Sequence, residues 1–154
     1  MKKMIRAAAL LAAAAAVSLP AAAQFAKAED AINYRQSAFA VLGHHFGRLG
    51  AMANGKMPYD AAVAAADGDV IAAVSALPFT GFVPGTEKGH GTKVRPEAWK
   101  ELPKVKEMEQ KMITEVGKVS VAAKSGNLDQ LKAAFGPASQ TCKACHDRSE
   151  ERRV

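Results

Sequence analysis

Apolar residues recur every three or four positions along most of the chain after residue 25, a spacing that is typical of amphipathic helices. The pattern predicts four helices, at residues 26–53, 59–77, 97–124 and 127–151. Glycine and proline residues separate them. Four amphipathic helices with mostly short connections predict an all-α fold, an antiparallel four-helix bundle.

The same spacing predicts which side chains face the interior. They are Ile32, Arg35, Phe39, Leu42, Phe46 and Leu49 on the first helix, Val63, Ala66, Val70, Val74 and Leu77 on the second, Val105, Met108, Met112, Val116, Val119 and Ala123 on the third, and Leu128, Leu131, Phe135, Ala138, Cys142 and Cys145 on the fourth. Gly136-Pro137 should kink or divide the fourth helix. Residues 78–96 form a long loop whose Phe79, Phe82 and Val83 suggest that it covers an apolar object.

Residues 1–23 have the composition of a secretory signal peptide. Three cations precede an apolar run from Ala7 to Leu19, and Ala21-Ala22-Ala23 provides the small residues of a cleavage site. We expect cleavage after Ala23, export to the periplasm and a mature domain of residues 24–154. The apolar run is too short to span a bilayer, and no later stretch is expected to span one.

Cleavage also changes the charge of the protein. The formal net charge is +6, and Lys2, Lys3 and Arg6 leave with the signal peptide, so the mature chain carries +3. A weakly basic domain is poor evidence for nucleic-acid binding.

The only two cysteines stand in Cys142-Lys143-Ala144-Cys145-His146, the attachment signature of c-type haem. The two thiols add to the vinyl groups of haem, and a spacing of three residues places both on one side of a helix. His146 then faces the iron as its ligand. Three other interpretations remain open here: a disulfide, a thioredoxin-like redox pair and a zinc site.

The opposite face of the iron is predicted to have no protein ligand. In an antiparallel bundle the start of the first helix lies beside the end of the fourth, which brings Arg35, Phe39 and Leu42 near the haem. Neither Phe39 nor Leu42 can ligate iron, so we expect a five-coordinate iron and an apolar pocket. Such a pocket favours small uncharged ligands such as NO and CO. Possible sixth ligands elsewhere are Met52, Met57, Met108, Met112, His44, His45 and His90.

Arg35 is the only charged residue on the inner face of the first helix. We expect it to pair with a haem propionate. The alternative is an arginine whose stem packs in the core while its head reaches solvent.

The mature chain resembles cytochrome c′, the high-spin class II c-type cytochromes. The resemblance rests on segments spread over its whole length: Gln24-Phe25-Ala26-Lys27, Tyr34-Arg35-Gln36-Ser37, His45-Phe46, Pro58-Tyr59-Asp60-Ala61-Ala62, Leu77-Pro78-Phe79, Pro84-Gly85-Thr86-Glu87, Arg95-Pro96-Glu97-Ala98-Trp99, Ala133-Ala134-Phe135-Gly136 and Cys142-Lys143-Ala144-Cys145-His146-Asp147.

The resemblance implies one covalent haem c per chain, binding of NO and CO, and a homodimer joined through the first two helices. It implies that Arg35 and Gln36 lie at the propionates and that Phe39 covers the vacant face of the iron. It also implies that Arg95 and Glu97 lie where the loop meets the haem edge. Many members carry an aromatic and a basic residue where this chain has Ser149 and Glu150, so whether NO displaces His146 stays open.

The leading hypothesis is a non-enzymatic protein that captures NO in the periplasm. The alternative is an electron-transfer cytochrome with an unidentified redox partner. That alternative needs a sixth ligand on the iron, and a haem peroxidase would need a polar acid–base group beside it.

Overall fold

The computed structural model describes residues 24–149, so the predicted signal peptide and residues 150–154 lie outside the described residues. The described chain forms five α-helices and one 3-10 helix. These are α1 (Ala28–Ala53), α2 (Ala61–Val74), the 3-10 helix (Leu77–Gly81), α3 (Pro96–Lys100), α4 (Leu102–Lys124) and α5 (Leu128–Ser149).

The four long helices form the predicted bundle, in which α2 packs on α1 and α4, and α5 packs on α4 and α1. Contacts along α1 show its direction relative to its neighbours. Gly50, near the end of α1, meets the ring of Phe135 early in α5, whereas Phe39 shares a cavity with Cys145 near the end of α5. The two helices are therefore antiparallel, as the sequence predicts.

The inner faces predicted for α1, α4 and α5 are confirmed. Ile32, Leu49, Val119, Leu131 and Ala138 have no exposed surface, and they belong to helices α1, α4 and α5. Burial of apolar surface of this kind is the main term that stabilises such a bundle, at about 25 cal/mol per Å².

The inner face predicted for α2 is wrong in part, since Val63 and Val74 pack against the core but do not define the buried face. The buried residues are Ala64, Asp67, Gly68 and Ile71, while Ala66 and Leu77 are exposed. The alanine and valine side chains of α2 lie on all faces of the helix, so the spacing of apolar residues alone does not select a buried face. Two specific features select it instead: a salt bridge that Asp67 makes with α1, and the small size of Gly68, which lets α2 approach α4.

The second helix is also shorter than predicted. It begins after Asp60, whose carboxylate accepts a hydrogen bond from the Val63 backbone N–H at 3.0 Å. It ends at Val74, and the 3-10 helix at Leu77–Gly81 follows, so part of the predicted loop is ordered.

The third predicted helix is interrupted at Glu101, whose backbone leaves the helical region at φ −119° and ψ 38°. Pro103 explains the interruption, because it lacks an N–H and its ring would clash with the preceding turn of a continuous helix. The chain therefore restarts as α4 with Pro103 in its first turn, where proline is tolerated.

The sequence predicts that Gly136-Pro137 kinks or divides the fourth helix. It does not divide it, because α5 runs from Leu128 to Ser149 with Pro137 inside it. Packing on α1 and α4 holds both halves of α5 in place despite the missing hydrogen bond.

One described segment, Ala61–Gly81, is long and apolar enough by composition to be a candidate membrane span. This is weak evidence, since core helices pass the same test. Within it, α2 has 14 residues, a length of about 21 Å, whereas a hydrocarbon core is about 30 Å thick. It packs in the bundle against α1 and α4.

Candidate functional site

Two cavities meet at the end of the bundle where α1 faces the C-terminal half of α5. Phe39, Cys145 and His146 line both of them. The loop-side cavity, of about 220 Å³, is completed by residues of the 3-10 helix and the following loop, including Phe79 and Phe82. The core-side cavity, of about 310 Å³, is completed by Leu42, Gly43, Phe46, Met112, Val116, Ser139 and Cys142.

Helix α5 presents the sequence motif to these cavities. Cys142 and Cys145 lie one turn apart, and no disulfide joins them. Burial raises the pKa of the Cys142 thiol, because the thiolate is poorly solvated at this partly buried position. His146 follows on the next position and reaches both cavities. Two thiols and an imidazole therefore border one apolar space.

Phe39 lies between the two cavities, and its predicted place over an iron face stays a prediction. Its ring meets the ring of Phe79 edge-on, with centroids 5.6 Å apart. Leu42, one turn later, is buried and lines only the core-side cavity. The side chains of α1 that border the space opposite α5 are therefore apolar at this level of the bundle.

Arg35 is buried in the wall of the loop-side cavity, with 2% of its surface exposed. Its guanidinium also lies over the rings of Phe82 and Trp99, at 4.9 and 5.5 Å from their centroids. Burial lowers the pKa of Arg35, and the nearby charge of Glu87 partly offsets this effect. Within the described residues no carboxylate makes a salt bridge with Arg35, and its hydrogen bonds go to neutral oxygens.

The cations of the loop-side cavity suit a carboxylate-bearing ligand. Lys93 joins Arg35 in its lining, and Gln36 donates a hydrogen bond to the Gly91 carbonyl at 3.2 Å. The snorkelling alternative for Arg35 does not hold, since its head group is buried along with its stem.

Among the possible sixth ligands, only Met112 lines a cavity that His146 also lines. Met52 lies in the core, Met57 packs against that core, and Met108 borders two other grooves. His45 bonds to Asp67 at 2.6 Å, the His44 ring meets the His45 ring edge-on, and His90 lies 3.5 Å from Glu29. The sequence interpretation of Met112 as core packing agrees with its burial.

Arg95 and Glu97 lie 3.5 Å from each other and border a neighbouring groove with Ala144 and Asp147. The structure does not bring them into the lining of the two cavities. Their role at a haem edge stays a prediction that rests on the resemblance alone.

The structure bears on the three competing interpretations of the cysteine pair. The two thiols are not joined in a disulfide. Residues 24–149 contain no β-strand of the kind that surrounds thioredoxin-like pairs. In the same part of the chain, no cluster of three or more His, Cys, Asp or Glu side chains could hold a metal ion. Neither a thioredoxin-like pair nor a zinc site gains support from this arrangement.

Sequence reasoning missed the residues that hold the loop in place. Thr86 has no exposed surface and, with Thr92, accepts hydrogen bonds from Arg35. A threonine in a loop carries no pattern that distinguishes such a role. The phenylalanines of the loop did predict its position. Phe79 and Phe82 both line the loop-side cavity, as expected of a loop that covers an apolar object.

Comparisons with known proteins agree with this site. The family model described as "Cytochrome C'" matches residues 30–148. The chain belongs to the cytochrome c′ family. It is 46% identical over 129 residues to cytochrome c′ of Rubrivivax gelatinosus, an alignment that covers 84% of this chain and 100% of that protein.

Solved structures of cytochrome c′ share the fold. The crystal structure of the Rubrivivax gelatinosus protein superimposes with a TM-score of 0.80 at 47% identity, over 83% of this chain and 100% of that one. A nitric oxide complex of a mutant of the Alcaligenes xylosoxidans protein gives a TM-score of 0.76 at 44% identity, over 84% and 100% of the two chains. The predicted family and the four-helix bundle are thereby confirmed.

Proteins of the cytochrome c′ family bind haem c, and the residues of this chain fit that group. The fit rests on two thiols one helical turn apart that form no disulfide, on the adjacent imidazole, and on the cavities on either side of Phe39. Arg35 and Lys93 supply cations in the same wall, where the propionates of a haem would find charge complementarity.

Proposed function

We propose that this protein is a periplasmic haem c protein whose iron takes NO and CO on the face covered by Phe39, and that it captures NO. Cys142 and Cys145 would hold one haem per chain through thioethers, and His146 would be the protein ligand of the iron. The observation that carries the proposal is the position of Phe39, between two cavities that also contain Cys145 and His146.

The chemistry follows from what surrounds that position. A haem supplies an iron that binds small diatomic molecules on an open face. Phe39 and Leu42 offer neither a ligand nor a hydrogen bond there. The protein therefore gives no extra stabilisation to a polar molecule bound to the iron. This environment disfavours O2, which depends on a hydrogen-bond donor, and tolerates NO and CO.

Other evidence supports the export and the role. Members of the family are typically periplasmic, and residues 1–23 have the composition of a signal peptide. A relative was crystallised with nitric oxide.

The decisive experiment is a pair of optical and EPR spectra of the haem-loaded protein, ferric and ferrous, with and without NO and CO. We expect a high-spin iron that binds both gases. A low-spin iron that ignores CO would contradict the proposal.

Phe39→Ala tests the gate directly. Removing the ring opens the covered face, so we expect CO association to accelerate by about 10-fold or more, equivalent to lowering the barrier by about 1.4 kcal/mol. Flash photolysis of the ferrous CO complex measures this rate. Phe25→Ala is the matched control, since Phe25 packs on Tyr34 and lines neither cavity, and it should leave the rate unchanged. Equal rates for Phe39→Ala and the unmodified protein would exclude Phe39 as the gate.

The second candidate function is electron transfer, and one observation favours it. The Met112 side chain lines the core-side cavity with His146, and a methionine sulfur is a known axial ligand of low-spin haem. If Met112 binds the iron, Met112→Leu will convert a low-spin spectrum to a high-spin one. If the proposal of NO capture is right, the spectrum will be high-spin in both proteins.

We further propose a homodimer through α1 and α2, as the family resemblance implies. The segment Ala61–Gly81 is strongly apolar, yet only 33% of its most apolar window is buried. Val41 on α1 and Leu77 after α2 are also exposed large apolar residues. A second copy of the chain would cover this surface.

A further inference from the structure

Arg35 directs all four hydrogens of its terminal nitrogens at one segment of chain. Nη1 donates to the Gly81 carbonyl at 3.0 Å and to Thr86 Oγ1 at 2.8 Å. Nη2 donates to the Thr86 carbonyl at 2.9 Å and to Thr92 Oγ1 at 2.7 Å. Each terminal nitrogen carries two hydrogens, so the end of the guanidinium is fully used within the protein.

The same segment lies directly on helix α1. A Cβ placed on Gly81 would come within 2.6 Å of the Ala31 carbonyl oxygen and 2.8 Å of Arg35 Cβ. Only glycine permits this approach, and it lets the Gly81 carbonyl reach Arg35. The end of the 3-10 helix is therefore fixed to α1 by close packing and by a hydrogen bond.

A row of aromatic rings connects this fixed segment to Phe39. Phe82 lies under the Arg35 guanidinium and stacks on Phe79, with centroids 6.1 Å apart. Phe79 in turn meets Phe39 edge-on at 5.6 Å. Because Phe79 stands on the 3-10 helix between the fixed Gly81 and α2, its backbone cannot move away from Phe39 unless the segment moves.

We propose that Arg35 is a positioning residue for ligand entry, which clamps residues 79–92 so that Phe79 blocks one side of the Phe39 ring. The inference rests on the proposed function of Phe39 as a gate. It gives Arg35 a role distinct from pairing with a propionate, since the hydrogen bonds that hold the clamp end on the loop. Phe39 then has free space mainly towards Gly43, where a Cβ would meet no atom within 4 Å.

The clamp predicts that weakening its acceptors changes the rate of ligand entry. Thr92→Val conserves the shape of the side chain and removes one hydroxyl that accepts a hydrogen bond from Arg35. Thr86→Val does the same at the second hydroxyl. We expect either variant to accelerate CO association by about three- to tenfold, the effect of losing about one hydrogen bond in the closed state. Arg35→Lys, which keeps the charge and loses the fork, should act in the same direction.

The matched control is Thr80→Val. Thr80 lies in the same segment, is exposed, and donates only to the Leu77 carbonyl. Its replacement should leave the CO association rate unchanged. Hydrogen exchange of residues 79–92 provides a second readout, and it should increase in Thr92→Val and Arg35→Lys but not in Thr80→Val.

The double variant Phe39→Ala/Thr92→Val decides how the clamp acts. With the gate removed, Thr92→Val should no longer change the rate. An undiminished effect in the double variant, or unchanged rates for both threonine variants in the presence of Phe39, would overturn the clamp. If Phe39→Ala itself leaves the rate unchanged, the proposed gate fails, and hydrogen exchange still tests whether Arg35 holds the loop.

Discussion

At the scale of single residues, Asp67 is the least expected feature of the bundle. Its carboxylate has no exposed surface, and His45 Nδ1 and Arg48 Nε bind it, each at 2.6 Å. Burial alone raises the pKa of Asp67, but the hydrogen bonds and charges of Arg48 and His45 outweigh burial and hold the pKa below its ordinary value. The cluster thus joins α1 to α2 through an ionised carboxylate.

We expect Asp67→Asn to lower the free energy of unfolding by about 2 kcal/mol at pH 7, because it removes charged hydrogen bonds from a buried position. A carboxylate whose pKa is lowered by folding stabilises the protein above its ordinary pKa, and this contribution is lost as the pH falls through the folded pKa. Urea unfolding should therefore show a smaller difference between the two proteins near pH 3.

Asp69→Asn is the control for this experiment. Asp69 lies on the same helix and makes only a surface salt bridge with Lys124 at 3.0 Å. Its replacement should change the stability by less than about 0.5 kcal/mol. A loss at Asp69 as large as that at Asp67 would mean that the buried cluster has no special role.

At the scale of helices, the contact between α1 and α5 depends on Gly50. A Cβ at this position would lie 2.4 Å from Phe135 Cζ, and Phe135 is itself stacked on Phe46 with centroids 4.6 Å apart. The ring has packed neighbours on both sides, so it has little room to yield. The two helices can approach this closely only because residue 50 has no side chain.

Gly50→Ala should lower the stability by about 1–3 kcal/mol, the usual range for overpacking. Gly117→Ala on α4 should instead stabilise by about 0.5–1 kcal/mol, since alanine favours the helix and a Cβ there meets no atom within 4 Å. Thermal or urea unfolding of both variants measures the contrast. Equal effects of the two substitutions would show that helix propensity, and not the contact with Phe135, decides the result.

The success of sequence reasoning differed between elements for a physical reason. In α1, α4 and α5 large apolar side chains alternate with charged ones, so the spacing of residues such as Leu49 or Val116 selects the buried face. In α2 apolar and charged side chains do not alternate in this way. Its buried face depends instead on the salt bridge of Asp67 with Arg48 on α1, which the sequence of α2 alone does not reveal. The breaks at Glu101 and Val74 also depend on Pro103 and on the packing of the 3-10 helix, not on periodicity.

In the candidate site, too, some features were predictable from the sequence and others were not. The spacing of Cys142, Cys145 and His146 and the antiparallel order of helices were enough to place Phe39 opposite them. The partners of Arg35 were not predictable, because Thr86 and Thr92 reach it only through the path of an irregular loop.

At the scale of the whole molecule, the outer surface of α1 and α2 is the proposed dimer interface. We expect Val41→Glu to weaken the dimer, because Val41 on α1 is 43% exposed and a buried unpaired charge is costly. Sedimentation velocity at micromolar concentration should show a shift towards the monomer. Val121→Glu, at a 70% exposed position on α4, should leave the dimer intact. Dissociation by both variants, or by neither, would argue against this interface.

The cavities that surround Phe39 draw their walls from α1, from the loop, from α4 and from α5, and α5 is the last of these segments to be synthesised. No N-terminal fragment of the chain can contain the site, however well its own helices form. Contacts between segments so distant in sequence form slowly, because closing the long stretch of chain between them costs conformational entropy before any contact is made. The walls near Phe39 therefore close only after the segment that carries Cys142 and Cys145 has been synthesised, so the site is completed together with the bundle.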